Sequence, residues 1–114
     1  MKLNQVAEKL NLHVQTPTTS LDADVTGGYI SDLLSDVMAH AKKGDVWITL
    51  QIHQNTVAVA TLKELVGIIV INGKQPAQET INKAAEEDVP ILTSELTAFE
   101  LICELCKLGI SGSR

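Results

Sequence analysis

The sequence predicts an α/β fold with three layers, in which helices flank both faces of a mostly parallel sheet. The main observation is the segment 65–71, seven residues without a polar side chain that end at Asn72-Gly73. A strand with one wet face would alternate polar and apolar residues, so an unbroken run indicates a strand buried on both faces. Strand and helix patterns also alternate from residue 46 onward, which predicts right-handed crossovers between parallel strands.

The composition is that of an ordinary globular domain. The 114 residues are 45% hydrophobic and 20% charged, which suits a folded domain and argues against disorder. The net charge of −5 and the single Trp, Tyr and Phe argue against nucleic-acid binding, which needs clustered cations and aromatic platforms. The sequence shows neither a signal-peptide pattern nor an apolar run of about 20 residues, so we expect a cytoplasmic protein without membrane contact.

Residues 1–20 are expected to form a short helix and a short strand. Apolar residues at helical spacing predict an amphipathic helix over residues 4–10, and the alternation around His13 predicts the strand. A second alternating stretch, residues 21–25, predicts a half-exposed edge strand. The following pair Gly27-Gly28 is expected to end that strand.

The segment 30–41 carries a continuous apolar stripe at helical spacing, which predicts a helix. Ser31 is a candidate amino-terminal cap, and Asp32 suits the positive end of the helix dipole. Residues 42–44, two lysines and a glycine, are expected to end the helix. The stripe consists of Ile30, Leu33, Leu34, Val37, Met38 and Ala41.

The middle of the chain predicts two strands with a helix between them. Residues 46–50 form a strong strand pattern, and the central apolar run supplies the second strand. Asn55 or Thr56 is expected to cap a buried helix that runs to about Lys63. The spacing between these segments fits a strand–helix–strand unit.

The chain is expected to continue with a helix from Pro76 to about Glu87 and a short strand over residues 89–92. Pro90 lacks an amide hydrogen, so it must lie at the start of that strand or at an edge.

The last helix has complete start and stop signals. Thr97 and Glu100 match a capping box, and Gly109 supplies the expected left-handed stop. Residues 111–114 are expected to form a frayed tail. Because no linker or repeat is visible, residues 1–114 are expected to form a single domain.

Residues 24–34 read Asp-Val-Thr-Gly-Gly-Tyr-Ile-Ser-Asp-Leu-Leu and resemble the signature of the DRTGG domain family. The resemblance covers nearly all of the chain after about residue 20. It departs from the signature at Val25, which stands where the family has its arginine, so any role of that arginine is absent here. It continues through residues 47–49, residues 53–55, Gly73 and residues 87–93.

The resemblance implies an α/β fold similar to the amino-terminal domain of HPr kinase/phosphorylase, and frequent homodimerisation. Members of the family occur beside nucleotide-sensing CBS domains, in an inorganic pyrophosphatase and in phosphotransacetylases, where they look regulatory rather than catalytic. Small stand-alone copies similar to this chain are associated with iron-only hydrogenase systems. The resemblance therefore implies regulation or scaffolding and names no reaction.

Polar turns are expected to meet at the carboxyl edge of the parallel sheet, each one before a helix. Helix amino ends carry unpaired N–H groups and a positive dipole, which suits a phosphate or carboxylate. The same residue types also serve tight strand-to-helix turns, so a purely structural interpretation stays open. The candidate ligand-binding residues are Thr26, Gly27, Gly28, Tyr29, Gln51, His53, Asn55, Asn72, Gly73, Thr93 and Ser94.

The sequence is also compatible with a catalytic site and with a metal or redox site. His53 is a candidate general base with Asp32 or Thr26 as its partner, although a histidine that caps a turn explains it structurally. Cys103 and Cys106 match C-x-x-C, the spacing of metal and redox sites. They lie in mid-helix without further cysteines, so we expect small core or interface residues.

Together these patterns predict a non-catalytic regulatory or scaffolding domain that homodimerises and binds a small anionic metabolite or nucleotide. The alternatives are an acid–base enzyme that uses His53 and a metal or redox protein that uses its two cysteines. The dimer contact is expected at edge strands near Asp22 and Pro90, or on the helix that carries Phe99 and Leu101. No cofactor is identified, and neither nucleic acid nor a membrane is expected as a partner.

Overall fold

The computed structural model describes residues 1–112 and contains one five-stranded sheet with helices on both faces. In chain order the elements are α1 (Leu3–Lys9), β1 (His13–Val14), β2 (Gly27–Ile30), α2 (Leu34–His40), β3 (Asp45–Thr49), α3 (Asn55–Lys63), β4 (Gly67–Val70), α4 (Gln78–Glu86), β5 (Ile91–Thr93) and α5 (Ala98–Lys107). The strand order is β1-β5-β4-β3-β2; β2 to β5 are parallel, and β1 is antiparallel to β5. The predicted fold class, a mostly parallel α/β sheet, is confirmed.

The central strand β4 is buried on both faces, as its unbroken apolar sequence predicts. Ile69 and Ile71 point to the face covered by α1 and α5, and pack in the same core as Leu101 and Leu105. Ile68 and the other alternate residues of the strand point to the opposite face, which α2, α3 and α4 cover. Each fully buried aliphatic side chain contributes about 1.5–3 kcal/mol to folding, so the two cores stabilise the sheet from both sides.

The only tryptophan of the sequence, Trp47, belongs to the core that α2, α3 and α4 cover, and it is fully buried. Its Nε1 donates a hydrogen bond to the Ser31 carbonyl oxygen at 2.8 Å, so burial leaves no unpaired indole N–H. This bond ties β3 to the segment that follows β2.

Gly67, the first residue of β4, lies where two other parts of the chain come close to the sheet. A Cβ atom at this position would stand 3.0 Å from Leu3 Cδ2 and 3.3 Å from the Pro90 carbonyl oxygen. Both distances are tighter than ordinary contact, so the absent side chain allows α1 to pack directly on the strand.

The strand predicted over residues 21–25 is wrong. That segment crosses the amino edge of the sheet, where Asp24 forms an isolated bridge with Lys2 and the Val25 amide donates to the Met1 carbonyl at 2.8 Å. The strand that pairs in the sheet is instead β2. It contains the pair Gly27-Gly28, which was expected to end a strand. Parallel pairing with β3 overrides the local turn preference of the two glycines.

Helix α2 is shorter than its apolar stripe predicts. Ile30 is the last residue of β2 and pairs with Ile48, so the helix begins only at Leu34. Its N-cap is Leu33, which offers no side-chain cap, and the predicted caps lie before it. The helix ends at His40, and Gly44, with φ of 89°, serves the turn into β3 rather than the helix stop.

Helices α3 and α4 and strands β3 and β5 occur where the sequence predicts them. Helix α4 begins at Gln78, two residues after Pro76, because Ala77 keeps an extended backbone as N-cap. Pro90 directly precedes β5, the position that its missing amide allows.

Helix α5 follows its predicted signals closely. The Thr97 hydroxyl accepts from the Glu100 amide at 3.3 Å, and Glu100 Oε1 accepts from the Thr97 amide at 3.0 Å. Gly109 has φ of 88°, and the Ile110 amide donates to the Leu105 carbonyl at 3.1 Å, as expected for a left-handed stop. Within residues 1–112, no helix is long and apolar enough to cross a membrane.

The tail expected to fray includes Gly112, which forms an isolated parallel bridge with Gly28 at the outer edge of β2. Residues 113–114 lie outside the described part of the chain.

Candidate functional site

The carboxyl edge of the sheet gathers the segments that follow four parallel strands. Because β2 to β5 point the same way, these segments leave the sheet at one edge, each before a helix. Open α/β sheets bind their ligands at this edge. The segments, named the rim below, are residues 31–33, 50–54, 71–77 and 94–97.

Asp32 holds the first two segments of the rim together. Its Oδ1 accepts hydrogen bonds from the Thr49 hydroxyl at 2.9 Å and from the Leu50 amide at 2.7 Å. Gln51 Nε2 donates to the Asp32 carbonyl oxygen at 2.9 Å. The carboxylate therefore ties the end of β3 to the segment before α2.

The remaining segments of the rim are joined by main-chain carbonyl oxygens. The Ile52 carbonyl accepts from the Thr80 hydroxyl at 2.6 Å and from the Ala77 amide at 3.2 Å. The Ser94 carbonyl accepts from the Gly73 amide at 2.9 Å. All four segments thus form one hydrogen-bonded surface, as the topology of a parallel sheet requires.

The turn after β4 is the most constrained part of the rim. Asn72 and Gly73 have φ values of 59° and 67°, in the left-handed region that favours Asn and Gly. A Cβ on Gly73 would also lie 2.5 Å from Glu95 Oε2. Turn geometry alone therefore explains the Asn-Gly pair, whether or not the rim binds a ligand.

The rim also carries exposed groups that can contact a ligand. His53, Asn55 and Lys74 are exposed, and Asn55 begins α3. The amino end of this nine-residue helix and Lys74 supply positive charge, while Asp32 and Glu95 supply negative charge nearby. His53 uses its carbonyl oxygen structurally: it accepts from the Thr56 hydroxyl and holds the first turn of α3.

Four of the predicted site residues do not reach the rim. Thr26 and Gly27 lie at the amino edge, where Gly27 pairs with Asp45, the first residue of β3. Gly28 and Tyr29 lie inside β2. The expectation that these residues share an edge with the other turns is wrong, because the Gly-Gly pair opens a strand instead of following one.

Thr93 and Ser94 reach the rim but are buried there. Thr93 Oγ1 accepts from Gln15 Nε2 at 3.1 Å, and Ser94 Oγ accepts from the Leu96 amide at 3.1 Å. Both hydroxyl groups brace the chain around them rather than facing solvent.

A cluster that the sequence reasoning missed links β2 to α2. The Tyr29 hydroxyl donates to Asp36 Oδ2 at 2.8 Å, and His40 Nδ1 lies 3.0 Å from Asp36 Oδ1, with the Tyr29 and His40 rings stacked 6.4 Å apart. The Tyr29 hydrogen bond, together with bonds from Ser31 and His40, lowers the pKa of Asp36. The same bond raises the pKa of Tyr29. The four-residue spacing of Asp36 and His40 on one helix was the available signal.

The two cysteines are free and exposed on α5. Of the two expected roles, core or interface residues, the core role is wrong, because Leu101 and Leu105 occupy the core face of this helix. The interface role stays a prediction. Among residues 1–112, no three His, Cys, Asp or Glu side chains are placed to hold a metal ion.

Among the cavities that lie away from the rim, two adjoin β2 or the segment before it. The first, of about 200 Å³, lies between β2 and α5 on the face covered by α1 and α5, where Gly28 has no side chain. It is smaller than the roughly 300–1,000 Å³ of typical small-molecule pockets. The second, of about 670 Å³, is an open depression at the amino edge with Thr26, Lys43 and Glu64 in its wall.

No protein-family model and no curated protein matches this sequence. Among solved structures, the chain is similar to the crystal structure of the CBS and DRTGG domains of the regulatory region of Clostridium perfringens pyrophosphatase, complexed with its activator diadenosine tetraphosphate. The TM-score is 0.64 at 15% sequence identity, and the match covers 87% of this chain. The fold is DRTGG-like. The match covers 43% of the pyrophosphatase chain, so this chain spans less than half of that region.

Proposed function

We propose that this protein is a regulatory domain that binds a small anionic ligand, a nucleotide or a phosphorylated metabolite, at the rim. The observation that carries the proposal is the DRTGG-like fold, shared with a regulatory region that was crystallised with a nucleotide activator. That ligand belongs to the pyrophosphatase region, and its counterpart here is our hypothesis.

The rim supports this proposal because it combines an accessible surface with groups that suit phosphate. Lys74 and the amino end of α3 provide positive charge, and the side-chain amides of Asn55 and Asn72 provide neutral donors. None of these three side chains is buried. A ligand held by these groups would contact the start of α3 and the segment between β4 and α4.

The acid–base alternative has less support. A general base needs a partner within hydrogen-bond reach, and the contacts of Asp32 are with Thr49 and Leu50 at the end of β3, not with His53. The metal or redox alternative rests on Cys103 and Cys106, which lie far along α5 from its amino end at the rim. A binding role is therefore the function that the geometry favours, and we propose that the domain performs it as a homodimer.

Calorimetric titration with diadenosine tetraphosphate, ATP, AMP and a panel of phosphorylated metabolites tests the proposal. We expect one ligand class to bind, and ligand at about 100 times its dissociation constant to raise the free energy of unfolding by about 2.7 kcal/mol. Lys74→Ala should weaken that binding about tenfold or more, by removing a charge-assisted contact.

Lys43→Ala is the matched control, because Lys43 is an exposed lysine at the opposite, amino edge of the sheet. It should leave binding unchanged. Absence of binding over the whole panel would overturn the ligand proposal, and equal loss in both variants would remove the rim as its place.

A further inference from the structure

The outer face of α5 exposes apolar side chains that no other part of residues 1–112 covers. Phe99 is 81% exposed, Cys103 and Cys106 are exposed, and Ile102 is half-buried between them. Their spacing places them along one side of the helix, named the α5 stripe below. A contiguous apolar stripe around a large aromatic side chain is typical of a protein–protein contact.

The cavity between β2 and α5 adjoins the other end of this stripe. Its wall includes Ile30, Ile48 and Ile110, and from the stripe itself Ile102 and Cys106. Phe99 lies seven residues before Cys106, about 10 Å along the helix axis. The same helix therefore presents a protruding aromatic ring near its start and an apolar hollow near its end.

The charges beside the stripe select the direction in which two such helices can pack. Glu100 lies in the first turn of α5 and Lys107 in the last turn, on the same flank of the stripe. An antiparallel pair brings each Glu100 beside Lys107 of the other copy, whose ammonium also donates to Glu104 Oε2 of its own helix at 2.9 Å. A parallel pair would instead place like charges together and would align the helix dipoles unfavourably.

We propose that the α5 stripe binds a second copy of this chain as an antiparallel α5–α5 pair, with Phe99 of each copy seated in the cavity of the other. Because the Phe99 ring and the cavity lie on one face of the chain, each copy inserts its ring into the other copy and accepts the ring of that copy in return. Such an isologous contact closes as a dimer and does not extend into a fibre. The inference specifies the homodimer of the proposed function and is independent of its ligand.

The size and the lining of the cavity favour a side chain as its occupant. At about 200 Å³ the hollow falls below the range of small-molecule pockets, and its wall is mainly aliphatic. A phenyl ring needs no hydrogen-bond partner when it is buried, so it suits such a wall. In the antiparallel pair Cys103 lies near the two-fold axis, and Cys106 lies opposite the start of the other helix.

Sedimentation velocity of the full chain tests the pair. We expect the wild-type protein to be a dimer and Phe99→Glu to weaken self-association at least about 30-fold, as for a hot-spot residue. Leu62→Glu is the matched control, since Leu62 is 70% exposed on α3 and lies outside the proposed contact. It should leave the dimer intact, and circular dichroism should show that both variants remain folded.

Disulfide formation between the two copies tests independently which cysteine lies near the two-fold axis of the dimer. With diamide as the oxidant, two thiols lose two electrons and two protons to form one disulfide and reduced diamide. Cys106→Ser, which keeps Cys103, should form covalent dimers readily, whereas Cys103→Ser should form few.

The outcomes separate this inference from the proposed function. A wild-type monomer would overturn the surface and the homodimer together. A dimer that survives Phe99→Glu, or that cross-links equally through either cysteine, would overturn the surface alone. Ligand binding at the rim would stand or fall separately by the Lys74→Ala titration.

Discussion

Helices α2 and α5 both follow a parallel strand and both start at the rim, but different parts of the molecule fix their ends. Helix α5 begins at a capping box made by its own residues, Thr97 and Glu100. Helix α2 has no side-chain cap, and the segment before it is held by Asp32, which bonds to β3. The comparison teaches that local sequence can specify one helix start completely while the neighbouring sheet specifies another.

The largest expected effect contrasts a buried residue of α5 with an exposed residue at the start of α2. Leu101 is fully buried, so Leu101→Ala should lower the free energy of unfolding by about 2–5 kcal/mol. Leu33 is 64% exposed, and Leu33→Ala should change the free energy of unfolding by no more than about 0.5 kcal/mol. Urea denaturation of both variants measures the difference. Equal effects would show that α5 does not anchor the core that α1 and α5 cover.

The next effect concerns the tie that replaces a cap in α2. Asp32→Ala removes the acceptor of the Thr49 hydroxyl, whose residue is 1% exposed, and of the Leu50 amide. The loss should lower the free energy of unfolding by about 1–3 kcal/mol, because the buried Thr49 hydroxyl loses its acceptor, whereas the half-exposed Leu50 amide can bond to water instead. Asp22→Ala, at an exposed aspartate, is the control in the same urea series and should be near neutral. A neutral Asp32→Ala would reopen the catalytic interpretation of this carboxylate.

These comparisons explain how far the sequence could predict the fold. The capping box and the unbroken apolar run predicted α5 and β4, because each signal lies within the element that it specifies. The apolar stripe misplaced the start of α2 because Ile30 continues the pattern while its backbone pairs with Ile48 in the sheet. Strand pairing is non-local, and no periodicity in one segment can reveal it.

The candidate site divides in the same way. The turns after β3, β4 and β5 were predicted because each follows a strand that its own composition identifies. Thr26 and Gly27 were misplaced because a Gly-Gly pair has the local chemistry of a turn, whereas here it opens a parallel strand. The contacts among Tyr29, Asp36 and His40 required knowledge of how β2 packs on α2.

A smaller effect isolates the capping box itself. Thr97→Ala removes the hydroxyl that accepts from the Glu100 amide and should cost about 1 kcal/mol of unfolding free energy. Ser35→Ala, in the uncapped first turn of α2, should cost less, because Ser35 is exposed and does not cap the helix. Thermal unfolding of the two variants measures the contrast, and a larger loss for Ser35→Ala would contradict it.

The smallest effect is a pH dependence that both helices share. Hydrogen bonds from Thr97 lower the pKa of Glu100, and the bond from Tyr29 is the main cause of the lowered pKa of Asp36. A lowered folded pKa stabilises the protein above the ordinary carboxyl values of 4.5 and 3.8, and the contribution is lost as pH falls through the folded values.

Unfolding measured from about pH 6 to about pH 2 should therefore lose part of its acid sensitivity in Asp36→Asn. The raised pKa of Tyr29 acts in the opposite direction: its contribution is present below pH 10.0 and is lost as pH rises through the folded value. Tyr29→Phe should remove that alkaline loss, and an unchanged alkaline limb would contradict the Tyr29–Asp36 bond.

The contact at Gly67 constrains how this sequence can diverge. A methyl group there would lie 3.0 Å from Leu3 Cδ2, its shortest contact, so a larger residue at position 67 fits best with a smaller one at position 3 and a small shift of the Pro90 carbonyl. Among homologues the two positions should covary, although they lie 64 positions apart along the chain. In a randomised library, Gly67→Ala should be recovered mainly in clones that have also replaced Leu3 by a shorter side chain.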